Sequence, residues 1–295
     1  MNSTVSFSRW GHVQWQTRPF QVFKQYNKEL SEFIWAEYAA HEYVKTNLIN
    51  TVSPCDDCSS HLTFAAKVWN FNKMSEWTSA YDAGQNYLYL NCVVALSSNL
   101  EVFLKSIISL AIESNPGVLI KAPKTIDGVL YLKKGMPMPK YDYYVEKCVD
   151  GTWKKRKEAI ERLFDSYPVE IDTYYTELEK IRKMRNKAGH AFGRDIKNAC
   201  EFYSTEKKPS EVVSLANLRT WLKVAYDVAT AMDKFLLDNF IGEYQAILEY
   251  HKHKDEWKYK FANEKARELK TLYGAKDQQI GLEFCEELVE YYEKL

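Results

Sequence analysis

The run from Asn86 to Ser114 constrains this chain most. Leu90, Val93, Val94, Leu100, Leu104, Ile107, Ile108 and Ala111 recur along it at helical spacing. Such a run is too long for a strand, and it predicts an amphipathic α-helix with a wide apolar face. The triplet Asn115-Pro116-Gly117 stops it, because proline disfavours a helical residue before it and glycine favours a turn. A long apolar helix needs partners of its own kind, and the rest of the chain supplies them. From Pro19 to about Asn50, Phe23, Tyr26, Leu30, Phe33, Ile34, Tyr38 and Val44 form an aromatic stripe. Helical spacing returns at Trp153, with Ile160, Leu163, Phe164 and Tyr167 on one face. Asp172 reads as the N-cap of a further helix carrying Tyr175, Leu178, Ile181 and Met184. Gly189 reads as the end of that helix, or as a kink. Pro209-Ser210-Glu211 is expected to open a long helix through Leu215, Leu218, Leu222, Ala225, Ala229, Met232 and Leu236.

Alternating strands are scarce, and 11 glycines with 8 prolines are too few for turn-dense all-β architecture. The expected class is therefore mainly α, with a helical bundle as its core. Residues 118–150 break the pattern with Pro123, Pro137, Pro139, Gly128 and Gly135. They read as an irregular insertion with a short hairpin around TIDGVLYLKKG. The stretch His61–Asp82 has no clear period. Three regions follow: a helical region 1–85, a helical core 86–240 with its insertion, and a charged helical region 241–295.

Lys plus Arg number 40 and Asp plus Glu number 40, so the formal net charge is zero. A neutral chain is not a bulk electrostatic binder of nucleic acid, and any such site must be a local patch. Near-zero charge also weakens self-repulsion and eases self-association. No window offers the roughly 18 uncharged apolar residues of a spanning helix. The longest apolar stretch, Val102 to Ile112, carries Lys105. MNSTVSFSRWGHVQW lacks the apolar core of a signal peptide, and six cysteines are too dilute for a disulfide framework. A cytoplasmic, reducing compartment is expected, with no membrane partner.

The one concentrated patch lies in ELEKIRKMRNKAGHAFGRD. There Lys180, Arg182, Lys183, Arg185 and Lys187 cluster within eight residues, an arrangement suited to phosphate. At 100° per residue, Arg182, Asn186 and His190 stack along one helix line, while Arg185 and His190 lie about 140° apart. A bend or end at Gly189 would relax that separation. These groups suit cleavage of an RNA phosphodiester. A histidine can take the proton from a 2′-hydroxyl, an arginine can stabilise charge on the phosphoryl oxygens, and Asn186 can orient either. The substrate itself supplies the nucleophile, so the reading requires no metal and no cofactor. Arg185, His190 and Asn186 are thus the candidate catalytic residues. Lys183 and Lys187 are candidates for RNA binding and Arg182 for support. The bland alternative is a solvated basic helix end.

Arg185-Asn186 followed by His190 resembles the R-x(4–6)-H motif of the HEPN superfamily of helical ribonucleases. ALSSNLEVFLKSIISLAIES is similar to the first long helix of that family, and Ser210–Asp238 to the element after the motif. The resemblance covers roughly residues 86–240. It implies an all-α bundle that dimerises and places two motifs across one cleft. It also implies a metal-independent endoribonuclease that leaves a 2′,3′-cyclic phosphate, in a family frequent among toxins and anti-phage defence effectors. The expected partners are then RNA, a second copy, and an antitoxin or phage trigger protein. By the same resemblance Glu101 would be a supporting acid on the early helix. A non-catalytic HEPN module that binds RNA, nucleotide or a protein partner is the alternative.

Other candidates carry less. Cys55-x-x-Cys58-x-x-His61 has zinc-like spacing but no second ligand pair, and reads as thiols on a loop. His251 and His253 alternate and do not share a helix face. His41 is expected on the polar side of its helix. Tyr141, Tyr143 and Tyr144, beside Lys140 and Lys147, could stack on bases but are expected chiefly to pack. No P-loop, GxGxxG, HExxH or GxSxG is present.

Overall fold

A computed structural model describes residues 6–62, 71–191, 210–274 and 280–295. The protein is mainly α. Among the described residues its helices are α1 (Arg18–Asn47), α2 (Cys58–His61), α3 (Met74–Ser114), α4 (Gly128–Lys134), α5 (Asp142–Val149), α6 (Trp153–Phe164), α7 (Glu170–Thr173), α8 (Tyr175–Ala191), α9 (Leu215–Leu236), α10 (Tyr244–His253), α11 (Ala262–Gly274) and α12 (Leu282–Lys294). A π-helical turn, Leu237–Ile241, continues α9. The chain forms two compact units. The first comprises Met1–Phe23, Glu101–Tyr175 and Asp227–Leu295, and the second comprises Lys24–Leu100 and Thr176–Tyr226. Each unit is thus discontinuous in sequence, and the divisions fall within α1, α3, α8 and α9.

In the first unit, the end of α3 buries Phe103, Leu104, Ile107, Ile108 and Ala111. Phe20 and Phe23 of α1 pack on Phe103 at ring distances of 5.9 and 5.3 Å. Phe164, Phe235 and Phe240 form a second aromatic cluster. Helices α5 and α6, α4 and α10, and α11 and α12 pack in pairs. The segment before α1 is tied in by Arg9, whose side chain is 6% exposed. Its guanidinium donates to both Asp127 carboxylate oxygens, to the Ile241 carbonyl at 3.0 Å, and to the Ser114 carbonyl and hydroxyl at 3.0 and 2.9 Å. Asp127 also N-caps α4 by accepting from the Val129 amide, and accepts from the Tyr291 hydroxyl. Two glycines make room here. A Cβ on Gly128 would stand 1.7 Å from the Glu113 carbonyl oxygen, and one on Gly242, at φ +52, would stand 2.4 Å from the Arg9 carbonyl oxygen.

In the second unit, α1 contributes Ile34, α3 contributes Tyr89, Leu90, Val93, Leu96 and Leu100, and α9 contributes Leu218, Trp221 and Ala225 to the core. A smaller cluster of Cys58, Leu62 and Met74 is covered by Leu48, Val52, Phe71 and Trp77. An isolated antiparallel bridge, Asp57–Lys73, closes it.

Several sequence expectations need correction. No hairpin forms in residues 118–150. TIDGVLYLKKG becomes α4, because Asp127 caps its start and Gly135, at φ +61, caps its end. Asp172 does not cap the helix after it. It sits inside α7, where Lys157 and the Tyr167 hydroxyl bind its carboxylate at 2.7 and 2.8 Å. Helix α3 starts at Met74, inside the stretch that lacks a period. Helix α9 starts at Leu215, where the Ser214 hydroxyl accepts from the Asn217 amide. Ser210 and Glu211 lie ahead of it, and Pro209 lies outside the described residues. By length and composition α3 could cross a membrane, yet half of its apolar window is buried in the protein.

Two measurements test the first unit. Arg9→Met keeps bulk but leaves the half-buried Asp127, and the buried Ser114 and Ile241 carbonyls, without their cation. It should cost about 3–5 kcal/mol in urea unfolding, and a loss below about 1 kcal/mol would show that Arg9 is not the tie. Glu243 accepts from the Val13 amide at 2.5 Å, and burial raises its carboxyl to about 7. Its folded-state value thus exceeds its unfolded one, so protonation favours the fold. That contribution is complete below about pH 4.5 and is lost as pH rises to about 7. Wild type should therefore lose Tm relative to Glu243→Gln across that window, with the nearby His12–Asp238 pair common to both proteins. Parallel Tm profiles would refute the assignment.

Candidate functional site

Helix α8 carries the motif. It turns Leu178 and Ile181 into the core, which leaves Lys183 and His190 exposed and Arg182, Arg185, Asn186 and Lys187 half-buried. Its start is anchored within the second unit by the Trp221 indole, which donates to Glu177 at 3.0 Å. Helical geometry runs through Gly189 to Ala191. The helix does not end at Gly189, because a lone glycine in a helix weakens it without breaking it. The segment AFGRD after the motif lies outside the described residues from Phe192 onward.

Arg185 and Asn186 meet, with one guanidinium nitrogen donating to the Asn186 amide oxygen at 3.3 Å. Asn186 and His190 share one line of the helix, with Arg182 a turn earlier. Arg185 and His190 remain about 140° apart around a continuous helix, and about 7.5 Å apart along its axis. The helix alone therefore does not aim both groups at one atom.

The basic cluster is more neutralised than its sequence suggests. Glu177 binds Lys180 at 2.6 Å, and Glu179 grips Arg182 with contacts of 2.8–3.2 Å. Lys187 pairs with Glu211. The Lys180 ammonium beside Glu177, with help from the Trp221 indole, holds that carboxyl below the usual range against the opposing effect of burial. Lys183 has no ion pair among the described residues, so it remains the open cation of the five beside Arg185.

Sequence reasoning missed the pin that holds Glu211. The Asn86 amide donates to the Glu211 carbonyl at 2.9 Å and accepts from the Val213 amide at 2.9 Å. This fixes the segment entering α9 against α3, and with it the counter-ion of Lys187. An asparagine in an apolar helix was the only available signal. Glu101 belongs to the first unit, where it binds the buried Arg156 at 3.1 Å. That ion pair ties α3 to α6 within the first unit.

The other candidates resolve as follows. Cys58 is buried and Cys55 exposed, both as free thiols, and His61 bonds Asp56 at 2.9 Å. No group of three metal-ligating side chains occurs among the described residues. His41 is not on a polar surface but 7% exposed. It stacks on Tyr81 at 4.7 Å, and Tyr81 stacks in turn on Trp77 at 5.0 Å. His251 accepts or donates at Nδ1 with the Tyr292 hydroxyl, and burial lowers its pKa. No family model, curated protein or solved structure matches this chain.

Proposed function

We propose that this protein is a metal-independent endoribonuclease of the HEPN type, acting as a homodimer in toxin or anti-phage defence. The observation that carries the reading is the Arg185–Asn186 contact one turn before the exposed His190, at the end of a helix. In this reading neutral His190 removes the proton from an RNA 2′-hydroxyl. The resulting oxygen attacks the adjacent phosphorus, and the P–O5′ bond breaks. A 2′,3′-cyclic phosphate and a 5′-hydroxyl end result, the leaving oxygen taking its proton from a protonated imidazole. Arg185 neutralises the phosphoryl oxygens, Asn186 holds the guanidinium, and Lys183 offers backbone phosphate an open cation.

The 140° separation on one helix is what makes two copies necessary. His190 of one motif and Arg185 of another can converge on a single phosphate across a dimer cleft. A second reading, a non-catalytic dimeric module that binds RNA, nucleotide or a protein, draws support from the ion pairs that occupy Lys180, Arg182 and Lys187.

Incubation of purified protein with total RNA in EDTA decides between the two readings. Wild type should cleave and leave cyclic phosphate ends. His190→Ala and Arg185→Ala should each lose about a hundredfold or more while sedimenting as the wild-type dimer. Wild-type cleavage by His190→Ala would sink the nuclease reading, and RNA retention without turnover by all three proteins would favour the second.

A further inference from the structure

The first unit holds a cavity of about 600 Å³ that the motif does not use. Its volume falls in the ordinary range of small-ligand sites, about 300–1,000 Å³. The residues after α3, the start of α5 and one face of α6 enclose it. Lys155, Glu158, Ala159 and Arg162 recur at helical spacing, so α6 lays a single face along the cavity.

The lining has three chemistries. The floor is apolar, with Val118 and Leu163 buried. The wall is aromatic, with Tyr143 and Tyr144 65% and 41% exposed and their rings edge to face at 5.7 Å. The rim is cationic, with four basic residues against two acidic ones, Asp150 and Glu158. Of those cations, Lys121 is spent on Asp165 at 2.6 Å. Lys155 and Arg162 form no ion pair among the described residues, and Lys147 lies over the Tyr143 ring at 5.3 Å. Three cations without carboxylate partners among the described residues, around one cavity in a chain of zero net charge, call for an anion from outside. Gly151, just ahead of the α6 N-cap Thr152, and Lys155 in its first turn border the cavity, and a helix N-terminus favours negative charge.

We propose that this cavity binds a free nucleoside diphosphate or monophosphate, independently of the ribonuclease motif. The phosphates sit among Lys147, Lys155 and Arg162. The base lies on Tyr144, since Lys147 already covers a face of Tyr143. Asp150 and Glu158 accept from the ribose hydroxyls or the exocyclic amine. A bare inorganic anion would leave the aromatic wall and apolar floor unused, and an uncharged nucleoside would leave the cations unmatched. The sequence placed the tyrosines beside lysines. Only the fold adds Lys155 and Arg162 to them.

Calorimetric titration of the full chain with ADP, GDP, CDP and UDP, with adenosine and pyrophosphate as half-ligands, tests the assignment. At least one nucleotide should bind about tenfold or more tighter than either half. Tyr144→Ala should weaken it about tenfold, and Tyr144→Phe should restore it. Lys155→Ala with Arg162→Ala should weaken it further and flatten its salt dependence. These side chains are at the exposed rim, so each variant should keep the wild-type Tm. His190→Ala should bind as wild type does, which separates this site from the nuclease reading. No binding by any nucleotide at about 1 mM overturns the proposal. So does pyrophosphate binding as tightly as the nucleotides, which would make the site a plain anion site. A 5′-phosphorylated oligoribonucleotide that displaces ADP and binds more tightly would assign the cavity to an RNA end instead.

Discussion

A buried guanidinium cannot be left without partners, and Arg9 meets that demand with groups from three distant parts of the chain. The last turn of α3 has carbonyls that no helical amide can reach, and Ser114 gives one of them to Arg9. Asp127 would be an uncompensated, half-buried charge without its cation. With it, the same carboxylate caps α4 and receives the Tyr291 hydroxyl of α12. The Ile241 carbonyl, at the end of the π-helical turn after α9, accepts from Arg9 and from the Ser114 hydroxyl. Helix ends that would otherwise need separate caps thus share one side chain. Close approach is the condition, which is why Gly128 and Gly242 stand where a Cβ would strike backbone oxygen. Helices α5 and α6, which line the cationic cavity, belong to the same unit that this tie holds together.

Periodicity read the long elements well because burial on one face is a repeated signal. Leu90, Val93, Leu100, Leu104, Ile107 and Ala111 all enter the core as their spacing requires. Short elements were misread because single capping contacts decide them. Whether Gly128 belongs to a hairpin or to the first turn of a helix depends on Asp127 and Gly135, and propensity alone does not rank those outcomes. Asp172 shows the reverse error. A good N-cap residue was taken by Lys157 and Tyr167 before it could cap anything. His41 was misplaced because polarity is a weak guide for imidazole, which stacks on an aromatic ring as readily as it faces water.

The candidate motif was legible as a string and as a helix face. Its electrostatics were not. Counting along the sequence finds five cations in eight residues, and the local carboxylates Glu177 and Glu179 are visible in that count. Glu211 is not, because only the Asn86 pin brings it to Lys187. Among the described residues the open part of the patch is therefore smaller than the sequence suggests, and it is centred on Lys183. Cationic character in the first unit has the opposite history. Lys147, Lys155 and Arg162 look like ordinary solvated residues in sequence, and become a cluster only when α5 packs on α6.

The continuity of α8 through Gly189 bears most directly on the proposed chemistry. A bend there would have let one chain carry both catalytic groups on one face. Helical geometry carried through Gly189 instead sets Arg185 and His190 about 140° apart around the axis. Under the proposed activity, cleavage then requires the motif of a second copy. Zero net charge supports such pairing, since two copies meet without bulk repulsion. Dilution would thus restrain a toxic nuclease without any dedicated inhibitor. Activity should rise with the square of chain concentration wherever the dimer is the minor species, because each active centre would draw one essential group from each copy.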